Sequence, residues 1–218
     1  MPPIDRAAFA GDEIFDAYFR AILSDADGID MPHEARSALS RVVAADAAAR
    51  QRMVANVLAD AIPVEAIAEH SFTAAVLQAY FSALASQLDP GSLKPVGDGV
   101  CPCCGGAPAS SLVVGWPGAE GTRFCACGLC GTLWNYVRAR CTLCGSTKDI
   151  SYRQVEGVGW NVKAEVCGSC RGYLKVLDQV TEPGLDPIAD DIATLSLDIL
   201  VREQGFRRGG FNAFLIGH

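Results

Sequence analysis

Residues 99–106, GVCPCCGG, and residues 140–146, RCTLCGS, are two forms of one phrase: two cysteines two residues apart, with a glycine directly behind. Cys127 and Cys130 form a third such pair and Cys167 and Cys170 a fourth, with twenty-two residues between Cys104 and Cys127 and again between Cys144 and Cys167. A shift of forty residues therefore superposes all eight: Cys101 on Cys141, Cys104 on Cys144, Cys127 on Cys167 and Cys130 on Cys170. The chain carries two copies of a four-cysteine unit, and the fold has to be read around them.

A C-x-x-C turn aims two thiolates at one point, and backbone N–H groups beyond its second cysteine donate to sulfur. Gly105, Gly131 and Gly145 stand where this turn needs a positive φ; Arg171 holds that place in the fourth pair, with Gly172 one residue later. Two such knuckles closed by a hairpin make a tetrahedral four-sulfur cage that suits zinc or a single iron. Pairing within each repeat assigns Cys101, Cys104, Cys127 and Cys130 to one ion and Cys141, Cys144, Cys167 and Cys170 to the other. A cross-braced set that joins 101/104 to 141/144 is the alternative. Cys103 and Cys125 fall outside the repeat, where the second copy has Leu143 and Glu165; they read as spectator thiols, and their presence makes the first site the more open to oxidation or metal exchange. A four-thiolate set is closed, so hydrolytic chemistry at the metal is not expected.

The spacers inside the units have hairpin character. SSLVVGWPGAEGTRFC (110–125) turns around Gly115–Gly118, ISYRQVEGVGWNVKAEVC (150–167) turns around Gly157–Gly159, and GYLKVLDQV (172–180) holds a strand. Upstream, residues 1–95 read as helical. A first helix covers DEIFDAYFRAIL (12–23); a second, opened by Pro32, holds one apolar stripe to about Ile62; Pro63 ends it, and a third, apolar on two faces, runs from Val64 to Leu88 as a central helix. Residues 89–99, DPGSLKPVGDG, are a linker. Asp186 and Pro187 open a last helix that lasts to Gly205, with Asp190 and Asp191 placed to favour its N-terminal dipole, and the end, RRGGFNAFLIGH (207–218), reads as a tail with exposed apolar residues.

Charge and composition narrow the function classes. The chain has 218 residues, 50% hydrophobic, and a formal net charge of −7. Residues 1–95 carry 7 basic and 13 acidic side chains, and residues 101–175 carry 8 and 4. That local +4 is cancelled when two divalent ions each leave a four-thiolate site at −2, which argues against nucleic acid as partner. No apolar run reaches the ~18 residues of a membrane span, and MPPIDRAAFAGDEIF at the start lacks the basic segment of a signal peptide. Reduced C-x-x-C pairs fit a cytoplasmic setting. The three histidines, His33, His70 and His218, all lie outside the cysteine region, His70 reads as a packed or surface side chain, and no nucleophile motif or phosphate loop is present.

CPCCGGAPASSLV (101–113), RFCACGLCGTLWNYVRARCTLCGS (123–146), KAEVCGSCRGYLKVLDQ (163–179) and IADDIATLSLDILVREQGFRRGGFNAFL (188–215) resemble the C-terminal half of the FdhE family of formate dehydrogenase accessory proteins. The helical half matches only in being helical and looks shorter than the family usually carries. The resemblance implies an α+β chain: an all-α domain (1–95), two tandem rubredoxin-like or zinc-ribbon units (96–136 and 137–180), then a C-terminal helix and tail (181–218). It implies a cytoplasmic, non-enzymatic chaperone that contacts the catalytic subunit of a molybdenum- or tungsten-dependent respiratory formate dehydrogenase before its export. Aromatic and Arg enrichment at interfaces points to Trp134, Tyr136, Arg138 and Arg140, with the 209–216 tail, as partner contacts. A rubredoxin-like iron electron carrier is the alternative reading.

Overall fold

The computed structural model describes residues 1–155, 157 and 161–215. Four helices come first: α1 (Glu13–Ala26), α2 (His33–Ala44), α3 (Ala47–Leu58) and α4 (Ile67–Ala85). Asp12 and Asp46 cap α1 and α3, each carboxylate accepting from a backbone N–H three residues on, Phe15 at 2.8 Å and Ala49 at 2.7 Å. The Asp46 cap corrects the sequence reading. The stripe from Leu39 to Leu58 is two helices rather than one, because Ala45 turns extended (φ −62°, ψ 138°) and Asp46, unfavourable inside a helix, starts a new one.

The α4 helix is the central one. It packs against α1, α2 and α3, and Ala74, Val76, Leu77 and Phe81 are all fully buried. It begins at Ile67 after a single 3-10 turn at Val64–Ala66. Its His70 is packed rather than exposed: Nδ1 lies 2.7 Å from the Ala66 carbonyl, and the Asn56 amide donates to Nε2 at 3.1 Å.

Among the described residues downstream, seven strands form one sheet: β1 (Pro108–Val113), β2 (Arg123–Cys127), β3 (Leu133–Asn135), β4 (Ile150–Arg153), β5 (Val162–Cys167), β6 (Gly172–Asp178) and β7 (Arg207–Arg208). The forty-residue repeat survives in it, since β1, β2 and β3 shifted by forty fall on β4, β5 and β6. Each copy is an antiparallel three-strand meander. The copies then join head to tail: β6, the last strand of the second, pairs in parallel with β1, the first strand of the first, Ser111 facing Val176 and Val113 facing Asp178. The order is β3-β2-β1-β6-β5-β4, which leaves β3 at one end and β4 at the other, with β7 beside the start of β6.

The expected last helix is two short ones, α5 (Ala189–Ala193) and α6 (Leu195–Glu203), broken at Thr194. The break lets Thr194 and both helices serve a buried charge cluster. Lys175 Nζ donates to the carbonyls of Asp191 at 2.6 Å and Thr194 at 3.0 Å and pairs with the Asp198 carboxylate. Arg208 bridges Asp191 at 2.5 Å and Asp198 at 2.7 Å. Asp191 is in the first turn as expected, but it is fully buried and serves this cluster.

The tail also departs from expectation. Phe211, Ala213 and Leu215 are buried, and the Phe211 N–H donates to the Pro108 carbonyl at 3.0 Å. Gly210 lets this happen, for a Cβ there would lie 2.6 Å from the Ala109 carbonyl oxygen. Of the tail, residues 216–218 lie outside the described residues, as does Gly159 of the second hairpin turn.

Candidate metal centres

All four C-x-x-C turns adopt one backbone shape. The residue after the second cysteine donates to the carbonyl of the first: Gly105 to Cys101 at 2.9 Å, Gly131 to Cys127 at 3.2 Å, Gly145 to Cys141 at 2.9 Å and Arg171 to Cys167 at 2.9 Å. These four residues have φ of 75°, 68°, 71° and 58°. Arg171 therefore takes the left-handed conformation that glycine takes elsewhere. Its guanidinium stacks 4.0 Å from the Phe206 ring centroid and donates to the Gln204 carbonyl at 2.7 Å, contacts that offset the steric cost and that glycine could not make.

The turns bring the thiols together within each repeat: Cys101, Cys104, Cys127 and Cys130 form one set, Cys141, Cys144, Cys167 and Cys170 the other, with the sulfurs of each set within 4.8 Å of one another. The cross-braced alternative is not the arrangement found. Sγ separations are 3.6 Å for 101/130, 3.4 Å for 104/127 and 3.8 Å for both 141/170 and 144/167. A disulfide needs ~2.05 Å, whereas a tetrahedron of sulfurs ~2.3 Å from a central ion has edges of ~3.8 Å. The donor sets fit a tetrahedral ion.

The electrostatics agree. In the first set, hydrogen bonds from the Cys101, Cys104 and Cys127 thiols hold Cys130 far below the usual thiol range, while a hydrogen bond from Cys101 pushes Cys104 well above it. Four thiolates this close cannot all ionise by themselves; a divalent cation at the centre would remove that conflict. Backbone N–H groups already point at sulfur, Leu129 and Cys130 at Cys127 (both 3.5 Å), Leu143 at Cys141 (3.4 Å) and Gly172 at Cys170 (3.4 Å). Cys103 and Cys125 are buried outside both sets, and burial pushes each up to about 12.

The sites differ in exposure, opposite to the expectation from the two extra thiols. All four cysteines of the first set are buried, whereas in the second Cys144 is exposed and Cys170 half-buried. Extra sulfur nearby did not open the first site, because Cys103 and Cys125 are themselves inside the core.

The four candidate contact residues separate. Arg138 is exposed and donates to the Gly121 carbonyl at 3.1 Å. Tyr136 is buried, its hydroxyl donating to Asp98 at 3.0 Å and to the Cys141 carbonyl at 3.2 Å; Arg140 pairs with the same Asp98 at 2.6 Å and donates to Gly145 at 3.2 Å. These bonds tie the linker to the second unit's first knuckle, a link that no spacing in the sequence announces. Trp134, Tyr136 and Arg140 also line a cleft of about 870 Å³ between β3, the end of α4 (Ser82, Ala85) and the linker. No helix among the described residues is long and apolar enough to cross a membrane.

Three protein-family models cover nearly the whole chain: one described as FdhE, N-terminal, over residues 1–98, one as FdhE, central domain, over 100–138, and one as FdhE, C-terminal domain, over 139–215. The helical half is thus matched in sequence and not only in being helical. A Protein FdhE homolog of Rhizobium meliloti (strain 1021) is 44% identical over 100% of this chain, which spans 72% of that relative. Another, of Edwardsiella ictaluri (strain 93-146), is 43% identical over 66% of this chain and 47% of its own length. The crystal structure of the FdhE protein from Pseudomonas aeruginosa matches with a TM-score of 0.87 at 26% identity, over 100% of this chain and 75% of that one. Matched from the helical half to the tail, the chain belongs to the FdhE family.

Proposed function

We propose that this chain is a cytoplasmic accessory protein, not an enzyme, which binds the catalytic subunit of a molybdenum- or tungsten-dependent respiratory formate dehydrogenase during its maturation. Each four-cysteine set holds one zinc or iron ion. The same reading divides the chain into a helical part (1–95), two metal units (96–136 and 137–180) and a closing segment (181–218).

The observation that carries the partner reading is the cleft beside β3. In the second repeat the matching strand, β6, runs on to Asp178 and takes β1 along its outer edge through Val176–Asp178. The counterparts of these residues are Tyr136, Val137 and Arg138, and in the first repeat the strand stops at Asn135 and, among the described residues, no strand pairs with that edge. The open edge faces the cleft, whose other wall is the end of α4 (Ser82, Ala85) and the linker, with Leu88 and Leu93. An extended client segment adding to β3 would repeat there the pairing that β1 makes with β6, using main-chain hydrogen bonds for affinity.

The test is an anaerobic pull-down of the tagged chain from its native host, with copurifying proteins identified. Enrichment of a formate dehydrogenase catalytic subunit, lost when Cys141 and Cys144 become Ser, supports the reading. Absence of that subunit from the eluate when the host expresses it overturns it; iron with a reversible one-electron couple would then favour the electron-carrier alternative.

A further inference from the structure

One repeat builds both cysteine sets, yet their surroundings are not alike. The first set is covered from two sides. The N-terminal segment crosses its first knuckle: the Ile4 N–H donates to the Cys103 carbonyl at 3.0 Å, the Arg6 N–H to the Cys104 carbonyl at 3.4 Å, and Pro2 sits over Gly105. The Arg6 guanidinium lies 5.1 Å from the Phe211 ring centroid, which fastens this strap to the tail. From the other side, the Gln78 amide on α4 donates to the Gly128 carbonyl at 2.5 Å, within the second knuckle. The result is relative exposure of 0, 0, 2 and 3% for Cys101, Cys104, Cys127 and Cys130.

Among the described residues, no strap crosses the second set. The carbonyls of Leu143 and Cys144 are the repeat counterparts of those that Ile4 and Arg6 cap, and among the described residues no N–H bonds either of them. Cys144 stands in solvent and Cys170 is half-exposed, with Cys141 and Cys167 behind them. An incoming ligand can reach an ion held here from the Cys144 side, whereas an ion in the first set would lie behind four buried cysteines.

We propose that the second set is an exchange site and the first a permanent staple, with Cys144 as the ligand that gives way. The incoming group is a thiolate, from a small thiol or from a cysteine of a partner. Its bond to the ion forms as the ion's bond to Cys144 breaks; the released Cys144 thiolate takes up the proton that the entering thiol gave off, and the metal's oxidation state does not change. Exposure and thiolate character together decide such reactivity. The inference rests on the reading that both sets bind metal.

The experiment uses the full chain loaded with cobalt(II) or zinc and then mixed with excess dithiothreitol and a chromogenic chelator. Two phases of one ion each are expected, ~10–100-fold apart in rate, the range over which surroundings beyond the ligands change metal binding. Cys144→Ser should remove the fast phase and leave the slow one. Arg6→Ala, which loosens the strap, should speed the slow phase and leave the fast one. Limited iodoacetamide treatment of the loaded wild-type chain, mapped by mass spectrometry, should label Cys144 first and spare Cys101, Cys104, Cys127 and Cys130. Two ions that leave at one rate, a fast phase that survives Cys144→Ser, or early labelling of the first set would overturn the exchange proposal alone. A chain that takes up no metal would overturn the metal reading beneath it as well.

Discussion

Arg123 on β2 reaches Glu165 on β5, Nη1 to Oε1 at 2.9 Å, across the two strands that lie between them. The pair spans the seam where the two repeats join, and its side chains are only 1% and 4% exposed. Arg123 also donates to Ser111 on β1 at 3.1 Å, and the Tyr152 hydroxyl donates to Glu165 at 3.1 Å. Glu165 occupies the place of Cys125 in the repeat, so this bridge arose where the copies diverged. Removal of one partner leaves a buried charge alone: Arg123→Met or Glu165→Gln should cost ~3–5 kcal/mol, and Arg123→Met with Glu165→Leu clearly less than the sum. Denaturant unfolding of the metal-loaded chain measures this, and single losses under ~1 kcal/mol would show that the seam does not depend on the bridge.

Gly99 fixes the linker against the second unit. Its φ is +70°, and a Cβ there would lie 1.9 Å from the Thr142 carbonyl oxygen, so the linker backbone rests directly on the second unit's first knuckle. Gly118 has a similar φ, +79°, with nothing within 4 Å. Gly118→Ala should cost only the left-handed strain, ~1–2 kcal/mol. Gly99→Ala should cost more and should also weaken metal retention at Cys141 and Cys144. Equal losses of thermal stability in the two variants would refute the close approach.

Asp16 on α1 ties to Arg50 on α3 at 3.0 Å. The Arg50 hydrogen bond holds the Asp16 carboxyl below its usual value, against the opposing effect of burial. A lowered carboxyl pKa contributes stability that is present above the ordinary carboxylate range and is lost as pH falls through the lowered value. Asp16→Asn should therefore cost ~0.2–1 kcal/mol at pH 7, the modest scale of a partly exposed pair. The difference from wild type should shrink as pH falls through the lowered value, and a pH-independent difference would mean that the ion pair is not its source.

How much of this was legible in the sequence follows from the range of each interaction. The cysteine spacing marks local turns, so the forty-residue repeat already contained both sulfur sets and their hairpins. The apolar stripes placed the helical half, and α4 was recognisable as central because two of its faces are apolar. Helix ends were less legible, since Asp46 and Thr194 act through single backbone breaks inside unbroken stripes. The parallel β1–β6 seam, the Lys175–Arg208 cluster and the Tyr136–Asp98–Arg140 tie could not be read at all, for they join different elements with no periodic signal. Exposure failed for the same reason: only the packed fold shows that residues 2–6 cover one site and leave the other bare.

Cys103 and Cys125 should be dispensable for metal. Both are buried, and neither belongs to a four-sulfur set. Cys103→Ala and Cys125→Ala each empty a small volume in the core and should cost ~1 kcal/mol. The double variant should still bind two ions per chain by elemental analysis. A drop to one ion would make one of these thiols a ligand and would require the first set to be reassigned.

Val137 offers the cleanest test of the open strand edge. At the two ends of β3, the Cys127 N–H of β2 donates to the Thr132 carbonyl at 3.0 Å and the Tyr136 N–H donates to the Arg123 carbonyl of β2 at 3.1 Å, so positions 132, 134 and 136 face inward to β2. Antiparallel pairing alternates, which turns the backbone groups of 133, 135 and 137 outward to the cleft. Val137 is 63% exposed, so its side chain contributes little to the core. Proline there removes one outward N–H and leaves the inward bond of Tyr136 intact. Val137→Pro should retain two ions and wild-type unfolding while it weakens client capture ~10-fold or more, since an added strand is held by its main-chain hydrogen bonds. Val137→Ala should capture normally. Substitution of Arg140 would be a poor test, because its bond to Asp98 holds the linker and its loss would disturb the fold. Undiminished capture by Val137→Pro would remove β3 as the docking edge and direct attention to β4, the strand at the other end of the sheet.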